Sequence, residues 1–391
     1  MRTVAYGSRP LPLPDGLAAS FLLPPHPPPE ADLEEVLVRA LGAPIQSQPL
    51  RALAPAGSRV TVIISDATRD EPRGLLFRSV RRELAHLADE QVTIAIANGT
   101  HTPGPPEALG LGREVLQRHR VVNHDATDLA SLVELGQTSR GTRVRVHRAL
   151  VDTDLVVATG RIKPHYFAGY GAGAKALFPG LGAREDIRQN HKLKQHPSAR
   201  LGRIAGNACR EDVEDAVRLI QARTFLLNVV MASDRPVGAV AGDLIAAHRR
   251  GCELARPYCE VAGEPADIVI TSDALPTTIN LYQASKLLAP AGWLLRSGGV
   301  AILAAECPRG TGPLDVVNEA IFRIGIRHYF AGADEPTIYL VSSLPESVVA
   351  QTYCRYAGSV EDALSKARAQ LGEGARVLVL PRAGDLIPVV S

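Results

Sequence analysis

Short runs of β-branched and aliphatic residues, each stopping in a polar or glycine-rich loop and followed by a helical stretch, constrain this chain most. Arg59-Val-Thr-Val-Ile-Ile64 ends in Ser65-Asp66-Ala67-Thr68-Arg69, and a helix is expected over residues 74–89. Val92-Thr-Ile-Ala-Ile-Ala97 ends in Asn98-Gly99-Thr100-His101, with a helix expected over 106–119 and a further strand over 121–125. Residues 144–151 read as a strand, and Leu155-Val-Val-Ala-Thr159 runs into a glycine-rich segment that extends from Gly160 to His196. Strand–helix alternation predicts a parallel sheet with helical crossovers. Ligands of such sheets bind past the carboxyl ends of the strands, where these polar loops fall.

The same grammar continues with a helix over 212–223, a strand over 225–230 and a helix over 243–259. It resumes at Ala266-Asp267-Ile-Val-Ile-Thr271, whose loop leads to a helix carrying Gln283 and Lys286. Strands follow over 299–305, 337–342 and 376–380. The fold class expected is α/β, with two domains of mainly parallel sheets flanked by helices and the active site in the interdomain cleft. The division expected is 1–264 and 265–375, with the tail 376–391 free to return to the first domain. Residues 8–30 are proline-laden and predict an extended surface segment or lid. A helix over 30–41 follows, with acids in its first turn.

With 43 basic and 41 acidic residues and few aromatics, the chain has neither the charge nor the stacking surface of a nucleic-acid binder. Its five cysteines form no CxxC pair, which points to reduced thiols and a cytoplasmic setting. No signal-peptide core or membrane-length apolar run is present, so no membrane partner is expected.

Asp66 and Arg69 share one post-strand loop, where a guanidinium can grip a carboxylate. His101, at the next strand end, can exchange a proton near neutrality. Gly169-Tyr-Gly171-Ala-Gly173-Ala-Lys175 has room for an anion against its backbone, but it fits neither the Walker nor the Rossmann spacing. His124, His165, His191 and His196 are candidate metal ligands, though for any one of them taken alone a capped or solvated side chain is the favoured reading. Gln283 and Lys286, three apart, would share a helix face and suit a carboxylate or carbonyl oxygen.

In order and spacing these pieces resemble the nickel-dependent lactate racemase family over nearly the whole chain. The motifs are Ser65-Asp66-Ala-Thr-Arg69, Gly99-Thr-His101-Thr-Pro103, Lys163-Pro-His165-Tyr-Phe-Ala-Gly-Tyr-Gly-Ala-Gly-Ala-Lys175, His191 and Gln283-Ala-Ser-Lys286. The resemblance implies racemisation or epimerisation of a 2-hydroxy acid, lactate-like or malate-like, with a nickel-pincer nucleotide tethered to Lys175. It makes His191 the metal ligand, and Gly171 and Gly173 part of the cofactor seat. His101 and His165 become the two acid/bases. Asp66, Arg69, Gln283 and Lys286 hold the substrate, with Lys286 also polarising its oxygen. Cofactor-biosynthesis enzymes are the implied protein partners.

Several positions depart from the family pattern. Asp70 stands in place of a proline, Ser65 in place of an aspartate, and Gly171-Ala-Gly-Ala in place of serine with paired glycine. Trp293 comes too early to match a late tryptophan. Arg73, one turn past Arg69, could face a second carboxylate. The alternative reading is a cofactor-free sugar-acid or nucleotide binder on the same fold.

Overall fold

Val60–Ser65 and Leu155–Ile162 are apolar throughout because both faces of a central parallel strand are covered by helices. A computed structural model describes residues 2–24, 31–232, 234–326, 330 and 336–390. The chain divides into two compact units, His26–Pro257 and Met1–Pro25 with Tyr258–Ser391.

The first unit is built on a six-stranded sheet in the order Arg235–Gly242, Arg223–Ala232, Leu155–Ile162, Val60–Ser65, Val92–Ala97, Arg120–Asn123. Every pairing is parallel except that of the Arg235–Gly242 edge strand. Val62, Ile64, Ile94, Ile96, Val157 and Leu227 are buried with Leu37, Leu76, Phe77 and Val80 of the covering helices. Helix Leu33–Gly42 starts where Asp32 accepts a hydrogen bond from the Glu34 amide, with Glu34 and Glu35 in its first turn. Helix Arg73–Glu83 presents Leu76, Phe77 and Val80 on one face.

The second unit carries another six-stranded sheet, in the order Arg355–Ala357, Thr337–Val341, Leu295–Ala304, Ala266–Ser272, Val377–Leu380, Ala19–Phe21. All of its pairings are parallel. This differs from a division at 1–264 and 265–375. Ala19–Phe21 pairs with Val377–Val379, and Ile387–Val390 pairs with Glu260–Gly263, so both chain ends belong to this unit. These pairings join residues far apart in the sequence, and no local pattern announces them.

Other differences are local. The expected helix over 106–119 is a 3-10 turn, Pro106–Leu109, and a short helix, Arg113–Arg118. Gly110 and Gly112, at φ +71° and +88°, interrupt it. Residues 143–147 form a hairpin with Leu132–Gln137 and then turn. Arg235–Gly242, with Pro236 and two glycines, masks its strand character and sits at an edge that tolerates proline. Part of the proline-laden segment lies in strands, Arg9–Pro12 and Ala19–Phe21, while residues 25–30 lie outside the described residues. No helix among the described residues is long and apolar enough to cross a membrane.

Candidate active site

Three adjacent parallel strands, Leu155–Ile162, Val60–Ser65 and Val92–Ala97, release their loops at one edge of the first sheet. The topology therefore brings together the Asp66 loop, the His101 loop and the glycine-rich segment. Gly99 N donates to Gly180 O at 2.8 Å, which ties the second loop to the third.

His101 Nδ1 lies 2.5 Å from Asp66 Oδ2. The other Asp66 oxygen accepts from the Thr68 amide at 3.1 Å and the Thr68 hydroxyl at 2.7 Å. Burial pushes the Asp66 carboxyl up. The hydrogen bond and charge of His101, with Arg69 and Thr68, outweigh it and hold the group well below the usual carboxylate range. Asp66 is thus an anion, the His101 proton sits on Nδ1, and the ring's lone pair is on Nε2.

Arg69 is exposed at the end of this loop. Arg73 is turned inward. Its Nε donates to Ser65 O at 2.7 Å and its Nη2 to the carbonyls of Asp66 and Arg69. It braces the loop that carries Asp66 and Arg69, so the expectation that it meets a second carboxylate loses its cation. Glu71, 3.7 Å from Arg73, accepts from the Ser65 amide at 3.1 Å. Asp70 forms an ion pair with the buried Arg161 at the end of the Leu155–Ile162 strand.

In the glycine-rich segment, Pro164–His165 pairs back on Gly169–Tyr170. Gly169 has φ +76°, and a Cβ there would lie 2.0 Å from Arg203 O. Gly173, at φ +64°, would place a Cβ 2.5 Å from His248 Cδ2. His248 is buried and donates from Nε2 to Gly171 O at 2.7 Å. Burial, then the Arg210 charge, holds it well below the usual histidine range. Arg210, fully buried, donates from Nε to Ala168 O at 3.3 Å and from Nη2 to Tyr170 O. Three carbonyls of the segment are therefore held from beneath by helices Ala208–Arg218 and Ala246–Ala255. Neither Arg210 nor His248 was anticipated, because each sits in an ordinary helical pattern.

Phe167 is the hub of the remaining candidates. Its buried ring meets His165 edge-on at 4.7 Å between centroids and His191 at 5.0 Å, and the Lys175 Nζ lies 5.5 Å from its centroid. The structure thus brings His165, Lys175 and His191 around one aromatic side chain, although 26 residue positions separate the first from the last. The Ala168 amide donates to His165 Nδ1 at 3.2 Å, so the His165 proton sits on Nε2. The two acid/base candidates are therefore held in opposite tautomers.

Gln283 and Lys286, in the other unit, share a face as expected, with Lys286 Nζ donating to Gln283 Oε1. Asn280 caps this turn by accepting from the Gln283 amide at 2.9 Å. His196 serves its own loop, where Nδ1 accepts from the Ser198 amide at 3.2 Å. His124 is buried against Gly182 O at 2.9 Å, which is a structural placement. Among the described residues no three His, Cys, Asp or Glu side chains form a metal-holding group by themselves. The segment offers two imidazoles, those of His165 and His191, one amine and a close glycine backbone. This set fits a bulky ligand that brings most of its own metal donors.

The family model of the lactate racemase N-terminal domain matches residues 5–202, just over half of the chain. A lactate racemase of Lactiplantibacillus plantarum is 28% identical over 388 residues, covering 89% of both chains. A lactate racemase of Thermoanaerobacterium thermosaccharolyticum is 32% identical over 313 residues, covering 74% of this chain and 72% of that one. Among solved structures, the lactate racemase apoprotein from T. thermosaccharolyticum superposes with a TM-score of 0.86 at 27% identity over 99% of both chains. A Thermotoga maritima protein shares the fold, with a TM-score of 0.72 at 18% identity over 93% of this chain and 100% of that one.

Proposed function

The chain belongs to the lactate racemase family, and on that premise we propose that it interconverts the two enantiomers of lactate or a closely related 2-hydroxy acid with a nickel-pincer nucleotide held at Lys175 and His191. When bound, that group supplies a hydride acceptor and donor for the substrate α-carbon. Lys175 contributes its amine as the covalent anchor, and His191 contributes an imidazole nitrogen to the metal. Gly171 and Gly173 keep the backbone close enough to seat the cofactor.

His101 takes the hydroxyl proton at Nε2. The imidazolium so formed is stabilised by Asp66, which also keeps the ring oriented. His165, with its proton on Nε2, presents a hydrogen-bond donor to the substrate oxygen. It takes a proton only after Nδ1 gives up the Ala168 amide. Arg69 grips the carboxylate, on a loop stiffened by Arg73 and by the Asp70–Arg161 pair. The resemblance assigns Gln283 and Lys286, which share one helix face, to polarising a carbonyl oxygen. Lactate is favoured over a dicarboxylic substrate because Arg73 is engaged by its own loop.

The observation that carries this reading is the Asp66–His101 pair at the same sheet edge as the His165, Lys175 and His191 group around Phe167. Expression with cofactor-making enzymes, followed by intact mass, nickel content and optical rotation from each lactate enantiomer, tests it. A covalent adduct lost in Lys175→Ala, with racemisation in both directions, is expected. Loaded protein that leaves both enantiomers of lactate and of a panel of related 2-hydroxy acids unchanged refutes the catalytic reading. An adduct that survives Lys175→Ala refutes the anchor.

A further inference from the structure

His191 follows a residue whose side chain is fully buried. Asn190 Oδ1 lies 3.2 Å from His191 Nδ1, while Asn190 Nδ2 donates to Asp212 Oδ2 at 2.8 Å and to Cys209 O at 3.4 Å. Both partners of Nδ2 are acceptors only, which fixes the amide with its oxygen towards His191. Asp212 is in turn held by two hydroxyls. Thr142 donates to Oδ2 at 2.7 Å and Thr138 to Oδ1, and both threonines lie buried on the turn after Leu132–Gln137. The edge of Phe167 against His191 limits rotation of the ring.

We propose that Asn190 is a positioning residue that holds His191 in the Nδ1–H tautomer and so leaves the Nε2 lone pair for the metal, with Asp212, Thr138 and Thr142 fixing the Asn190 amide. The inference rests on the reading of His191 as the nickel ligand. An imidazole ligates through whichever nitrogen lacks the proton, and the hydrogen bond at the other nitrogen decides which that is. An amide oxygen does this without a charge, which suits a ligand whose metal arrives with an anionic donor set.

Nitrogen-15 NMR of the histidine side chains in the full-length apoprotein reads the tautomer directly. His191, assigned by loss of its signals in His191→Gln, should show the Nδ1–H form, and an Nε2–H form overturns the proposal. In cofactor-loaded protein, Asn190→Leu should hold nickel about 10- to 100-fold less tightly against a chelator. The mass of the Lys175 adduct should not change. Nickel retention equal to the unsubstituted protein in Asn190→Leu overturns the proposal. If Asn190→Leu does not fold, the NMR result on the unsubstituted chain decides. Nickel held as tightly in His191→Ala refutes the ligand reading itself, whereas the wrong tautomer with His191-dependent nickel refutes only the role of Asn190.

Discussion

His101 donates its Nδ1 proton to Asp66 across 2.5 Å, joining the loops that follow two neighbouring parallel strands. The anion both selects the tautomer and stabilises the imidazolium that forms when Nε2 takes a proton. Asp66→Asn keeps the shape but removes the charge. Turnover from either enantiomer should fall about 10²- to 10⁴-fold. Intact mass should show cofactor loading unchanged, because neither residue belongs to the anchor. Because the folded carboxyl is held below its ordinary value of 3.8, Asp66 contributes stability above that pH and loses it only as pH falls through the folded value.

Ala172 occupies φ +59°, ψ −160°, a region in which glycine is at ease and alanine is strained. The strain amounts to about 1–3 kcal/mol. Ala172→Gly relieves it but loosens the unfolded chain, at a cost of about 0.4–1 kcal/mol. The balance favours glycine. Chemical denaturation should show a variant about 1 kcal/mol more stable, with an unchanged denaturant slope. A less stable variant would mean that the methyl group makes packing contacts worth more than the strain.

Acid should weaken the first unit through its buried histidines. Burial, then the charges of His124 and Arg120, holds His147 down at about 4 from 6.5, and burial also lowers His124 and His248. A histidine that resists protonation when folded binds more protons unfolded, so stability is full above about 6.5 and declines as pH falls towards about 4. Denaturation midpoints measured across that window should fall, and His147→Gln should flatten the decline. A midpoint that holds steady from neutrality down to pH 4 contradicts the burial argument.

The strand-end placement of Asp66 and His101 was legible because a β-branched run followed by polar residues marks a parallel strand and its loop without tertiary information. Gln283 and Lys286 were legible for a similar reason, since three-residue spacing on one turn makes a shared face. The inward turn of Arg73 was not, because the carbonyls that capture it exist only once the loop has closed. The hub at Phe167 and the support from Arg210 and His248 were hidden by distance in sequence. Aromatic and helical residues at such spacing usually belong to a core, and only the folded chain shows which loop they hold.

Gly173 and His248 provide the sharpest test of that hidden support. A methyl group at position 173 would meet the imidazole at 2.5 Å, and φ +64° is itself unfavourable for alanine. The backbone term is about 1–2 kcal/mol, and overpacking a buried ring adds about 1–3 kcal/mol. Gly173→Ala should therefore lower stability by about 2–5 kcal/mol and reduce adduct formation at Lys175, two residues on. His248→Ala frees the space but releases Gly171 O. If the clash dominates, the double variant should be more stable than the sum of the single losses, because its two changes share one contact. Strict additivity in denaturation would show that His248 does not limit this turn, and that the positive φ of Gly173 alone forbids a side chain.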